Sequence, residues 1–490
     1  SMLQKKNLLI IGDYDVDGTT SVAVLFSFLK KIHPNILYYI PNRYKEGYGV
    51  SKAGIDFAIE NKIDLLITVD CGIKSESLIK YALENNIETI ICDHHLPPDV
   101  NPPAFAILNP KQVDCNYPCI DLCGCGIVFK FITAIAEKLN LPKDSYLQYI
   151  DLVAVAIAAD IVPLVDENRV LTVLGLEKIN SNPQYGLKAL LQYFKHENNI
   201  KVRDLVFLVT PRINAAGRMD DAKKAVELFI AADMESANNL SLILHNNNEE
   251  RRTLDKDIFE EAKAMLENDP TEKNKKSTVV YQPHWSKGVI GIVASRLIEN
   301  FYKPTIVLSK SGNIVSGSGR SVEGFDLHNA IELCSEYLIG FGGHFAAAGL
   351  TLKEENIAPF TAAFENAVGT HITKEQLTPT LHINAILQFS EINMKFYKIL
   401  QKMEPFGTAN MQPIFMSKQV LNTGYSAIVK EEHIKFSMIQ NGIKLNGIGF
   451  NLAHKFHFLQ ANKGFDIAYK IVLENYNNTD YLKLHIVDIR

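Results

Sequence analysis

Three aspartates alternate in the segment Asp13-Tyr14-Asp15-Val16-Asp17-Gly18, directly after the apolar run at 8–11. Carboxylates this close repel one another and resist shared ionisation. A divalent cation removes that penalty. If extended geometry persists past the run, alternation puts Asp13, Asp15 and Asp17 on one side of the chain. The plain alternative is a polar turn capping the next helix, with Gly18 as the break. Three carboxylates rather than one favour the metal.

The pattern recurs. The apolar run at 65–69 ends in Asp70-Cys71-Gly72, and the run at 89–92 ends in Asp93-His94-His95. A fourth apolar stretch, 152–159, ends in Asp160. In an open α/β sheet, ligands bind beyond the carboxyl ends of the strands. Four apolar segments ending in carboxylate or imidazole converge there.

Asp13, Asp15, Asp17, Asp70, His94 and Asp160 make an oxygen-rich set with one imidazole. Such a set suits Mn²⁺ or Mg²⁺ better than structural zinc. Mn²⁺ is the favoured ion and Mg²⁺ an admissible one. The carboxylates outnumber the needs of one ion, so two divalent cations about 3.5–4 Å apart are expected, which is the arrangement for phosphoryl chemistry. Asp15, Asp17, Asp70, His94 and Asp160 are the expected ligands, with Asp70 bridging. Asp13 is a further ligand or the group that orients one. His95, next to His94, is left to contact a phosphate oxygen or give a proton to the leaving oxygen.

The ordered segments DYDVDG, VDCG, DHH and AAD resemble the four motifs of the DHH phosphoesterase superfamily. Within it the chain resembles the RecJ family of single-stranded-DNA exonucleases. PNRYKEGYG at 41–49, RINAAGRMD at 212–220, HWSKGVIGIVASRL at 284–297, SGSGRS at 316–321, GGHFAAAG at 342–349 and EPFGTANMQPIF at 404–415 extend the resemblance over nearly the whole chain. It implies a metal-dependent 5′-to-3′ exonuclease that hydrolyses single-stranded DNA to 5′-mononucleotides in recombination and repair. The implied setting is the bacterial cytoplasm, at the nucleoid. The implied partners are single-stranded DNA with a 5′ end, a helicase and a single-strand-binding protein, with no membrane. A monomer is expected. RecJ chains carry several dozen residues before the first Asp motif and here there are twelve, so the resemblance implies that an N-terminal segment is missing from this sequence.

In the RecJ family an Arg in the PNR segment and a Ser-Gly-Arg segment hold the DNA 5′-phosphate. Arg43, Ser318 and Arg320 occupy those places. Guanidinium reads phosphate through a fork of donors. Gly342, Gly343 and His344 offer a second grip, where small residues let backbone N–H groups approach an anion, ideally at a helix start. Arg212 and Arg218 line the path between domains or form a salt-bridged seam. Trp285, the only Trp, stacks on a base or anchors packing, and Tyr44 and Tyr48 beside Arg43 are comparable stacking candidates. Lys430, Lys435 and Phe436 are the candidates for strand contact near the C-terminus.

The elements that position these groups follow from rhythm. Strand-like runs alternate with helical stretches through the first half, which indicates a doubly wound parallel sheet in an α/β protein. The expected domains are a DHH catalytic domain at 1–235, a bridging helix and linker at 236–277, and a smaller DHH-associated α/β domain at 278–372. The last, 378–490, has short strands between Gly and Asn turns, which suit a small β-barrel. The resemblance makes it an OB-fold. The bridging helix is polar with a thin apolar stripe, and 269–277 reads as an exposed loop.

At 490 residues the chain exceeds one ordinary domain. No apolar run is long enough to span a membrane, and no signal peptide is evident. A net charge of −5 is neutral on nucleic acid, because metal carboxylates inflate the acidic count. Seven cysteines suit a reducing compartment. Cys115, Cys119, Cys123 and Cys125 cluster without zinc spacing, and Gly124-Cys125-Gly126 reads as a tight turn into a helix from Ile127. Other DHH phosphodiesterases, acting on short oligonucleotides or cyclic dinucleotides, usually lack the C-terminal barrel. A non-catalytic scaffold of this fold should have lost part of the metal set, which is complete here.

Overall fold

The computed structural model describes residues 6–194, 199–219, 221–460, 463–477 and 479–490. Asp220, the last residue of the RINAAGRMD segment, lies outside them. The chain divides into two compact units. The first comprises 1–160, 174–200 and 204–379; the second comprises 161–173, 201–203 and 380–490.

Two sheets organise the first unit. Strands β1 (Leu8–Gly12), β2 (Ile36–Tyr39), β3 (Leu65–Val69), β4 (Glu88–Cys92) and β5 (Ala106–Leu108) form a parallel sheet in the order β2-β1-β3-β4-β5. β1 and β3 are buried along their whole length, as expected of strands covered by helices on both faces. The chain order reverses between β1 and β3, so the crevice beyond their carboxyl ends is the topological switch point.

The second sheet is mixed. Strands β6 (Thr278–Gln282), β7 (Thr305–Ser311), β8 (Ile314–Arg320), β9 (Leu338–His344) and β10 (Ala347–Leu352) lie in the order β6-β7-β8-β10-β9. One face packs Ile306, Leu308, Val315, Leu350 and Leu352 against Phe360 and Phe364. On the other face, Val280 and Val307 pack with Val293 and Leu297 of the helix Ile290–Phe301 and with Phe259 and Leu266. The latter two lie on the helix Met234–Asn268, whose 35 residues lead into this sheet. The segment after it is not a simple exposed loop. Glu272 is buried and receives Thr278 Oγ1, Lys275 and Lys303.

The second unit holds β11 (Ala385–Ile386), β12 (Phe415–Asn422), β13 (Ala427–Val429), β14 (His433–Gln440), β15 (Ile443–Gly449), β16 (Phe465–Tyr476) and β17 (Thr479–Ile489). β12 pairs with both β14 and β16, so β12-β16-β17-β15-β14 closes into a five-stranded barrel. Closure removes the edges an open sheet would expose. Among the described residues no helix is long and apolar enough to cross a membrane.

Candidate metal centre and phosphate site

The carboxylates gather at the β1/β3 switch point, by routes the sequence reading had partly wrong. β1 ends at Gly12, so strand alternation does not set the three aspartates. Asp15 is the N-cap of the helix Val16–Lys30 and accepts from Gly18 N–H at 3.0 Å. Asp17 lies in that helix's first turn. Asp160 ends a helix, Ile150–Asp160. Residues 150–158 are buried all round, which erases the 3.6-residue period and leaves a continuous apolar run.

His94 stands at the centre. Its Nε2 lies 3.1 Å from Asp70 Oδ1, 3.7 Å from Asp160 Oδ2 and 3.9 Å from Asp17 Oδ2. Ligand atoms of Asp70, His94 and His95 lie within 4.8 Å of one another, as do those of Asp17, His94 and Asp160. Asp70 sits at φ +57°, a conformation costly for a non-glycine residue, and its N–H is held by Cys92 O at 2.9 Å. Gly124 allows the approach, because a Cβ there would lie 2.7 Å from Asp70 Cβ.

Burial first, and then mutual repulsion, raises the carboxyl groups. Asp13 and Asp70 are held well above the usual carboxylate range, Asp17 is pushed up to about 7 and Asp160 to about 8. Burial, and next the charge of His95, lowers His94 to about 3, so its imidazole is neutral and free to ligate. Asp13 Oδ2 and His94 Nδ1 are buried with no hydrogen-bond partner among the described residues. Four crowded carboxyls, a neutral imidazole and an orphaned carboxylate oxygen fit divalent cations.

Two supports were missed in the sequence. Gly124-Cys125 is not a turn before a helix; the helix Gly124–Lys138 starts there. Its Gly124 and Cys125 N–H groups donate to Asp17 at 2.6 and 2.8 Å, so the positive helix end holds that carboxylate. Cys123, Cys125 and Cys119 are buried free thiols. Asp93 is the other omission. Its Oδ1 accepts from the His94 and His95 N–H groups and contacts His95 Nδ1 at 2.7 Å, and its Oδ2 accepts from Ile73 N–H. Burial works to raise Asp93, but the His95 hydrogen bond and charge and these amides outweigh it and lower it. Asp93 thus fixes the His95 ring, whose Nε2 lies 3.1 Å from the Tyr48 hydroxyl.

A second cluster, of arginines, lies in the same unit. Arg218 is lowered to about 10 by burial and then by Arg43, Arg251 and Arg320. Arg320 is lowered by burial and by Arg43. Gathered guanidiniums repel unless an anion joins them. Arg320 Nη1 donates to Ser318 Oγ at 3.1 Å. A Cβ on Gly291, in the first turn of the helix Ile290–Phe301, would lie 2.9 Å from Ser318 Oγ and 3.0 Å from Arg320 Nη2. Arg43 lies over the Tyr14 ring at 5.0 Å.

Register places the remaining glycines. Ser318, Gly349 and Gly342 pair across β8, β10 and β9, and the next row is Arg320, Ala347 and His344. Directly paired residues share a face, so the two rows make a smooth strip beside Arg320. A Cβ on Gly342 would meet nothing within 4 Å. This is a hairpin and not the helix start expected for Gly342 and Gly343. Gly343 has φ +150°, and a Cβ there would lie 2.4 Å from Ala347 O. His344 is exposed, and burial and then Lys74, His95 and His328 lower it.

Other expected contacts lie elsewhere. Arg212 is buried, donates to Leu208 O at 2.7 Å and lies over the Phe194 ring at 4.4 Å; it packs rather than lining an open path. Trp285 is 3% exposed and donates to Glu261 at 2.8 Å, so it is a packing anchor. Tyr44 donates to Arg218 O. Phe436 is fully buried in the barrel core and cannot stack on a base, while Lys430 and Lys435 are exposed. Exposed aromatics of this unit include Tyr425 and Phe450, the latter with the rings of His433 and His485 at 5.2 and 5.9 Å.

The sequence and the fold match those of known proteins. The sequence matches the DHH family, N-terminal domain, over residues 7–157, the DHHA1 domain over 274–370 and the RecJ OB domain over 383–488. It is 32% identical over 489 residues to the single-stranded-DNA-specific exonuclease RecJ of Bacillus subtilis, covering 99% of this chain and 61% of that protein. It is 31% identical over 505 residues to the Escherichia coli protein of the same name, covering 98% of this chain and 87% of that one. The fold is similar to RecJ from Thermus thermophilus in complex with Mn²⁺, with a TM-score of 0.84 and 27% identity over 99% of this chain and 69% of that one. The Mg²⁺ complex of the Thermus protein has the same fold, with a TM-score of 0.77 and 24% identity over 99% of this chain and 67% of that one. A carboxylate–imidazole centre at the switch point, the ordered DHH, DHHA1 and OB segments, and identity above 30% over most of the Escherichia coli protein place the chain in the RecJ family of single-stranded-DNA-specific exonucleases.

Proposed function

We propose that this chain removes nucleotides from the 5′ end of single-stranded DNA in a reaction that requires divalent cations. The observation that carries the reading is the crowded Asp17–Asp70–His94–Asp160 cluster, in the same unit as arginines gathered around Arg218. Asp15, Asp17, Asp70, His94 and Asp160 would hold two cations, with Asp13 supporting them. Bound there, Mn²⁺ or Mg²⁺ polarises a phosphodiester and activates water for in-line attack.

The chain's own groups do the rest. Arg43, Arg218, Ser318 and Arg320 bind the terminal 5′-phosphate through charge-assisted hydrogen bonds. The Gly342–Gly349 strip lets the backbone of the strand lie close, and His344 faces the phosphate nearer the metals. Asp93 orients His95, which contacts the scissile phosphate or protonates the leaving 3′ oxygen. The barrel extends the footprint, and phosphate contacts along it make affinity fall with salt. We infer a cytoplasmic monomer, supplied with strand by a helicase and a single-strand-binding protein.

The test compares a 3′-labelled single strand with the same strand in a blunt duplex, each with Mn²⁺, Mg²⁺ or EDTA. Progressive shortening of the single strand alone, and only with metal, supports the reading. Equal cleavage of the duplex, or cleavage in EDTA, refutes it.

A further inference from the structure

We propose that Tyr48 is a positioning residue, and that the segment 42–49 couples recognition of the strand's 5′-phosphate to the placement of His95 and Asp13. The inference rests on the end-directed reading above and adds how the two sites communicate. Eight consecutive residues touch both. At one end, Arg43 lies over Tyr14 and Tyr44 donates to Arg218 O, which places this end at the arginine cluster. At the other end, Gly49 N–H donates to Asp13 Oδ1 at 3.1 Å. Between them the Tyr48 hydroxyl donates to Asp70 O at 3.2 Å and lies 3.1 Å from His95 Nε2.

The segment is braced as one piece, within itself and against Tyr39 and Ser51. Glu46 accepts from Asn42 N–H and the Tyr39 hydroxyl, each at 2.8 Å, and from the Ser51 hydroxyl. Asn42 in turn accepts from Tyr44 and Lys45 N–H and binds Glu46 N–H through its carbonyl. Gly47 and Gly49 stand at φ +89° and +75°, and these left-handed turns on either side aim the Tyr48 ring. The Tyr14 ring meets the Arg43 guanidinium at 5.0 Å and the Tyr48 ring edge-on at 6.2 Å. A shift of Arg43 toward an entering phosphate is therefore carried to Tyr48 through the segment and through Tyr14. Asp93 fixes one side of the His95 ring, and Tyr48 supplies the hydroxyl contact at the other nitrogen.

Tyr48 is about half exposed, so Tyr48→Phe removes the hydroxyl without emptying a core. The experiment uses the Mn²⁺-loaded full chain and one oligonucleotide bearing either a 5′-phosphate or a 5′-hydroxyl. Binding and single-turnover cleavage rate are measured separately. In the wild type the 5′-phosphate tightens binding and also raises the rate. In Tyr48→Phe the rate on the phosphorylated strand falls roughly tenfold, since small misplacements of a reacting group are costly. The phosphate then still tightens binding but no longer raises the rate. Arg43→Ala combined with Tyr48→Phe is no slower than the worse single variant, the non-additivity expected of one coupled path. Persistence of the full phosphate effect on rate in Tyr48→Phe, or additive losses in the pair, overturns the proposal. A wild-type rate indifferent to the 5′-phosphate overturns it too, while stepwise cleavage from the 5′ end in that assay leaves the proposed function standing.

Discussion

Removing one charge from the metal centre should stabilise the cation-free chain while disabling it. Asp160 is the best place to do so. Its carboxyl rises from 3.8 to about 8 through burial and then the charges of Asp17 and Asp15, with Lys111 opposing. Its side chain keeps 27% exposure, and among the described residues no hydrogen bond fixes its orientation as the two amides fix Asp17. A pKa raised on folding means that the folded chain binds more protons than the unfolded one between the two values. Stability from this group is then full below pH 4 and is lost as pH rises through 8. At about 1.4 kcal/mol per unit, the shift bounds the loss at ~6 kcal/mol. Solvent screening at a partly exposed group reduces the expected gain of Asp160→Asn to about 2 kcal/mol at pH 8.5. The assay is urea unfolding in EDTA at pH 5.5, 7 and 8.5, followed by the fluorescence of the single buried Trp285, with the midpoint giving the stability change. The gap between variant and wild type should open as pH rises. Added Mn²⁺ should stabilise the wild type far more than the variant. A variant no more stable than wild type at pH 8.5, or a gap that closes with rising pH, refutes the picture of a strained carboxylate cluster.

Other substitutions probe the remaining parts. Asp70→Ala should abolish cleavage with an unchanged circular dichroism spectrum, and full activity would remove Asp70 from the centre. Arg320→Ala should cut the preference for a 5′-phosphorylated strand roughly tenfold or more and reduce the salt slope of binding by about 0.7, as one lost phosphate contact on a single strand does; an unchanged preference excludes Arg320 from the end site. Gly343→Val should distort the β9–β10 hairpin, where a Cβ meets Ala347 O at 2.4 Å, and weaken strand binding; wild-type affinity in a titration would argue against the strip. Trp285→Ala should cost about 3–5 kcal/mol of stability with little effect on affinity below the unfolding range, whereas the reverse would return Trp285 to a stacking role.

Chemistry was more legible in the sequence than local geometry. The acidic and DHH segments announced the centre, and β1, β3 and β4 deliver Asp13, Asp70 and His94 as apolar runs ending in polar residues should. The Asp13–Asp17 alternation misled because the strand stops at Gly12 and a helix cap takes over. The run before Asp160 carries no 3.6-residue period because its helix is buried on every side. The Gly124 and Cys125 grip on Asp17 is a contact between residues more than a hundred positions apart, with no local signal beyond the glycines. Phe436 carried a signal that was passed over: Ile434, Phe436 and Met438 alternate on the buried face of β14, so period-two reading assigns Phe436 to the core. That 161–173 belongs with the barrel-bearing unit follows from long-range packing, such as Leu164 N–H on Thr408 O at 2.7 Å, and composition gives no hint of it.

The central claim is a metal-dependent attack directed from the 5′ end. One single-stranded oligonucleotide, labelled at its 5′ end in one reaction and at its 3′ end in another, tests it with Mn²⁺ and with EDTA. The account predicts immediate release of labelled mononucleotide from the 5′ label, a ladder shrinking gradually from the 3′ label, and no cleavage in EDTA. Mononucleotide appearing first from the 3′ label, or internal fragments from both, would contradict it.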